Sequence, residues 1–104
     1  MSKKLIKTIF KNRNKAIDRK DKKLFLSSQI KNQEIKGSYS KGYLELSMLK
    51  SKVLHLFKDD KDNKLWIVLV KEKYYKKGKF SHQGYLMYKI ICENNKFLIF
   101  DIRW

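Results

Sequence analysis

A chain of 104 residues has room for one domain around one core, and its 42% hydrophobic and 13% aromatic content suffices to fill that core, which excludes a disordered tail. Twenty-six lysines and arginines against ten aspartates and glutamates leave a net charge of +16, so anionic partners are expected. A low-GC genome would favour lysine codons without depleting acidic residues, so codon bias explains the choice of lysine but not the imbalance.

The first third reads as helix. Leu5, Ile6, Ile9, Phe10, Arg13, Ala16 and Ile17 recur at the three-to-four spacing of one helix face. Lys3, Lys7, Lys11 and Lys15 form a column on the other side, where like charges four residues apart weaken an isolated helix, so packing has to hold this one. Asp18–Asp21 interrupts the pattern, and Asp21 is placed to cap a second helix carrying Leu24, Phe25, Leu26 and Ile30. Gly37 marks a break. A third, short helix is expected after Ser38 or Ser40, with Tyr39, Tyr43, Leu46 and Leu49 on one side, although Leu44, Leu46 and Met48 also alternate as a strand would.

From Lys52 the period becomes two. Val53, His55 and Phe57 alternate with their neighbours up to an acidic turn at 59–63, and the apolar run Leu65–Val70 has the composition of a central strand. A charged arm leads to a turn at Lys77-Gly78, a return strand runs from Phe80 to about Cys92, and Asn94-Asn95 suits a two-residue hairpin before a last strand from Lys96. The expectation is one α+β domain over 1–104, with two or three N-terminal helices on a curved, four-stranded antiparallel sheet.

This order, with the aspartate-marked bend in Ala16–Leu26 and the closing segment Asn95–Ile102, resembles the nuclear transport factor 2-like superfamily along nearly the whole chain. The resemblance implies a cone whose sheet curls round a pocket. Its members include isomerases, dehydratases and cyclases beside non-catalytic binding and oligomerisation domains, so the fold does not by itself assign a function. Catalytic members place tyrosine, histidine or aspartate inside the cone, which makes Tyr43, His82 and Asp101 the pocket candidates; no local motif matches residue by residue.

Chemical motifs are otherwise absent. Cys92 and His82 lie ten residues apart on one expected strand, roughly 34 Å at strand rise, too far for a nucleophile and its base, so Cys92 is expected to be structural. His55 reads as a core or edge histidine. Asp59, Asp60 and Asp62 lack the glycine and terminal glutamate of a calcium loop. No metal site, cofactor or catalytic residue is expected. The single cysteine excludes an internal disulfide, no apolar run approaches the ~20 residues of a membrane helix, and the cytoplasm is the expected compartment.

The segment 71–80 is the most suggestive. Lys71, Lys73, Lys76, Lys77 and Lys79 interleave with Tyr74, Tyr75 and Phe80, pairing phosphate-neutralising charges with rings on which bases stack. A solvated hairpin tip accounts for the same composition. Three functions follow: a non-catalytic binding module for an acidic or anionic partner; a nucleic-acid-binding protein using 71–80 with the helix lysines; or an isomerase or dehydratase acting in the cone. Acidic protein and nucleic acid are the partners to test, together with a homodimer through the sheet face.

Overall fold

Helix α1 spans Ser2–Arg19 and buries the stripe read from the sequence: Ile6, Ile9, Phe10, Arg13, Ala16 and Ile17 are all below the surface. The computed structural model describes residues 2–32, 34–35, 40–61 and 64–103. Asp21 caps helix α2, Lys22–Leu26, its Oδ1 accepting the Leu24 amide at 3.0 Å. A single 3₁₀ turn follows at Ile30–Asn32, and helix α3 covers Ser40–Leu44. Tyr39 and Ser38 lie outside the described residues. The expected helix does not reach Leu46 or Leu49: the chain turns after Leu44, and the first strand opens at Met48, four residues earlier than the change of period at Lys52 suggests.

Four strands form one open antiparallel sheet in sequential order: β1 Met48–Lys58, β2 Leu65–Lys76, β3 Lys79–Glu93 and β4 Lys96–Arg103. The β2–β3 turn places Lys77 and Gly78 at φ 51° and 76°, and the β3–β4 turn places Asn94 and Asn95 at 53° and 63°, the left-handed pair that glycine and asparagine tolerate. Each strand pair carries one register shift, at Val53/His55, Tyr74/Tyr75 and Lys89/Ile90, and such bulges bend a sheet. The free edge of β4 meets the segment after α2: Gln29 bridges Ile99 in parallel, and the Ile99 amide donates to the Ser28 carbonyl at 2.8 Å.

The apolar interior has two parts. The larger lies between the N-terminal half of α1 and the sheet, with Ile6, Ile9 and Phe10 against Trp66, Val68, Val70, Leu86, Tyr88, Ile90, Ile99 and Ile102. The smaller joins Ala16 and Ile17 to Phe25, Leu46 and Leu49. Leu5 departs from expectation. It stands at the margin of the helix stripe, 52% exposed, while Ile6 takes the buried position. Phe97, Leu98 and Phe100 are half-buried, because β4 is an edge strand covered on one side only.

Phe10, 2% exposed and edge-on to Tyr88 with centroids 4.8 Å apart, should cost about 3–5 kcal/mol when truncated to alanine. Leu5→Ala should stay within about 0.5 kcal/mol of the parent. Urea unfolding of the two variants checks the contrast, and equal losses would refute this placement of the helix.

Candidate functional site

Alternation along β2 sends Trp66, Val68, Val70, Glu72 and Tyr74 to the helix-covered face and Lys71, Lys73 and Tyr75 to the other. Glu72 is therefore carried into the interior in phase with three apolar residues, and it is fully buried. Arg13, in phase with the apolar stripe of α1, is fully buried as well. A carboxylate and a guanidinium taken out of water need partners close by.

Tyrosines supply them. Tyr43 of α3 and Tyr74 of β2 donate their hydroxyls to Glu72 Oε1 at 2.8 and 2.7 Å, and Tyr88 of β3 donates to Oε2. The Arg13 guanidinium lies 4.2 Å from the Phe25 ring centre, 5.2 Å from that of Tyr43 and 5.5 Å from that of Tyr88, and its Nη1 donates to Gln29 Oε1 at 3.1 Å. Desolvated cation–π contacts of this kind are worth about 2 kcal/mol. Burial opposes the Arg13 charge, but Tyr88, Tyr43 and Glu72 outweigh it and its pKa is raised. Burial, reinforced by the Glu72 charge, pushes Tyr43 up to about 12 and raises Tyr74 and Tyr88 as well. The three tyrosines thus hold their protons and act as donors.

Beside this network an open groove of about 490 Å³ lies on the inner face toward the β2–β3 hairpin, lined by Tyr43, Leu46, Tyr74, His82, Gly84 and Leu86 among others. Gly84 is the cross-strand partner of Glu72, so no side chain fills the space opposite the carboxylate. His82 lies against Tyr74, ring centres 4.5 Å apart and planes inclined by 30°, and makes one wall. Gly42, on α3, also lines the groove, as does Lys76.

Of the three pocket candidates the structure brings Tyr43 and His82 to this one groove. Asp101, on β4, lies elsewhere and pairs with Arg103 at 2.8 Å. The basic arm is split: Tyr74 turns inward to Glu72, while Lys71, Lys73 and Tyr75 face outward and Lys76, Lys77 and Lys79 are exposed round the hairpin tip. Lys3, Lys7, Lys11 and Lys15 are exposed along α1. Cys92 is half-buried on the same strand as His82, and His55 is exposed on the edge strand beside Phe57. Asp59 accepts the Lys61 amide at 2.7 Å in the β1–β2 turn, while Asp62 lies outside the described residues. No group of three or more His, Cys, Asp or Glu side chains suited to a metal ion occurs among the described residues. The sequence reading missed Arg13 and Glu72 as a pair, although both stand in phase with apolar neighbours.

Helices leading into an open four-stranded antiparallel sheet define an α+β fold. It is the nuclear transport factor 2-like fold. A protein of unknown function from Shewanella oneidensis, itself described as NTF-2-like, matches over 97% of this chain and 100% of its own, with a TM-score of 0.73 at 13% identity. No protein-family model and no curated protein matches the chain. No helix among the described residues is long and apolar enough to cross a membrane.

Two outcomes follow from the network. Glu72→Ala leaves Arg13 without its countercharge and three hydroxyls without their acceptor, and should cost about 3–5 kcal/mol in urea unfolding, against a smaller loss for Glu72→Gln. The tyrosines bind protons more tightly folded than unfolded, so their contribution is fully present below the unfolded value of about 10 and is lost as pH rises through the folded one, about 12 for Tyr43. The urea midpoint should fall over that window less steeply in Tyr43→Phe than in the parent. Parallel profiles would show that Tyr43 is not held as described.

Proposed function

We propose that the protein is a non-catalytic binding module that holds a small, flat, anionic ligand in the groove above Tyr43 and Tyr74. The observation that carries this reading is the pair of glycines. Neither Gly42 nor Gly84 has the positive φ that demands glycine; a Cβ on Gly42 would meet nothing within 4 Å, and one on Gly84 would make only ordinary contacts at 3.9 Å. Glycine inside a helix or strand costs about 0.5–1 kcal/mol relative to alanine, so at both positions the chain forgoes stability and keeps the groove open.

The lining supports the ligand class. The stacked Tyr74 and His82 rings offer a flat wall, Leu46 and Leu86 apolar contact, and Lys76 a positive charge. Tyr43 and Tyr74 have committed their protons to Glu72, so each offers a ligand a lone pair rather than a donor. A conjugated or aromatic acid bearing a hydroxyl or amide donor meets all three. The volume falls within the usual range of small-ligand sites. The same network speaks against Glu72 as the general base of an isomerase or dehydratase, since it is fully buried and three of its roughly four lone-pair sites already accept tyrosine hydroxyls.

Anilinonaphthalene sulfonate, a flat aromatic anion, serves as the probe. The parent should bind it saturably, and Gly84→Val should weaken binding at least tenfold while its thermal midpoint stays at or above that of the parent. Phe57→Ala, on the opposite sheet face, should bind as the parent does. Undiminished binding by Gly84→Val would place the probe elsewhere and overturn the reading.

A further inference from the structure

The outward face of the sheet carries a charge arrangement that stability does not explain. The β1–β2 register sets Lys50 directly across from Lys73 and Lys52 across from Lys71, two like-charged pairs on successive outward positions. Like charges in directly opposed positions destabilise a sheet. Toward β3 the register partners of Lys73 and Lys71 are Gln83 and Tyr85, so no carboxylate stands among the register partners of the four lysines. Lys52 also borders a second groove, of about 260 Å³, together with Lys7 and Lys11 of α1. The positive band therefore runs from the helix over the β1 edge and onto the outer face.

Rings are set among these charges. Lys50 Nζ lies 5.4 Å from the ring centre of Tyr75, and Lys71 Nζ lies 5.9 Å from that of Tyr85. Tyr75 meets Phe80 across the hairpin at 5.7 Å, and Tyr85 and Phe80 are 56% and 55% exposed. Residues two apart on a strand are separated by about 6.8 Å, so the lysine pairs repeat along a line as the phosphates of an extended strand do.

We propose that this face binds single-stranded nucleic acid, its backbone running along Lys50, Lys52, Lys71 and Lys73 and its bases stacking on Tyr85 and Phe80. Charge complementarity selects a polyanion over a second copy of the chain, which would bring the same lysines face to face. The exposed rings select nucleic acid over an acidic polypeptide, because a base has a flat π-face to lay on them and a carboxylate side chain has none. Tyr85 also borders the groove, so the two proposals are kept apart by variants that each touch one surface alone, Gly84→Val for the groove and the four lysines for the outer face.

Fluorescence anisotropy with labelled oligothymidylate over a salt series tests it. Replacing Lys50, Lys52, Lys71 and Lys73 together by glutamine should flatten the plot of log affinity against log salt by about 0.7 per lysine, roughly three in all. Removing equal charge from Lys22, Lys23, Lys41 and Lys61, exposed elsewhere, should change the slope much less. Tyr85→Ala should weaken binding roughly five- to a hundredfold with the slope retained. The proposal is overturned if both lysine sets flatten the slope alike, if Tyr85→Ala binds as the parent does, or if polyglutamate of equal charge competes as well as oligothymidylate. It is equally overturned if sedimentation shows a dimer that Tyr85→Arg dissociates, since the face would then belong to a second copy.

Discussion

Burying a guanidinium and a carboxylate in a domain of this size costs several kcal/mol of desolvation for each ion, and the arrangement of the interior follows from how that cost is met. Arg13 sits where the two apolar clusters meet, between Phe10 on one side and Ala16 and Ile17 on the other. Glu72 occupies the matching point of the sheet, between Val70 and Tyr74. The rings of Tyr43 and Tyr88 approach the cation while their hydroxyls reach the anion, so each of these side chains serves both charges. α1, α3, β2 and β3 each contribute a member, which ties the short helix to the sheet by specific polar contacts rather than by apolar area alone.

The same strand that carries Glu72 inward presents lysines outward. Over the five residues Lys71–Tyr75 the chain alternates between two chemically unrelated surfaces, and the strand pleat is all that separates them. On the inner face the polar atoms are spent on one another, and what is left accessible is a groove with flat walls and oxygen lone pairs. On the outer face the charges are left unspent beside exposed rings. The two surfaces draw on different residues of β2 and meet only at Tyr85 of β3, which borders the groove and stands beside Lys71.

How much of this was legible depends on whether the signal is local. Helix stripe, Asp21 cap and the two tight turns at Lys77-Gly78 and Asn94-Asn95 are fixed by chemistry within a few residues, and each is legible in the sequence. So is the order of helices and strands. The start of β1 is ambiguous in the sequence because Leu46 belongs both to a helix side with Tyr43 and Leu49 and to a strand alternation with Leu44 and Met48, and the resolving contact, the Ser47 amide with the Tyr75 carbonyl, comes from a strand nearly thirty residues away. Leu5 fits the stripe by spacing alone, and periodicity does not say which of two adjacent apolar residues, Leu5 or Ile6, faces the sheet and which lies at the margin. Arg13 and Glu72 were missed as a pair because buried charges contradict the apolar patterning from which a core is read. Their phase was visible; that they share three tyrosines was not, since Tyr43, Tyr74 and Tyr88 come from three different elements.

The open sheet leaves two borders, and they are treated differently. β4 is met by the backbone of Ser28 and Gln29, which takes up part of its hydrogen-bonding row. β1 is the other edge and pairs with no further strand among the described residues, but it carries Lys50, Lys52 and Lys58 and is broken at Leu54, where the register slips. A strand so kinked and charged makes a poor template for the next chain, because an incoming strand would have to match the bulge and accept the lysines at once. Such an edge is a poorer template for edge-to-edge pairing than a straight, uncharged strand would be. Straightening β1 by deleting its extra residue would remove that protection while leaving the fold's interior untouched.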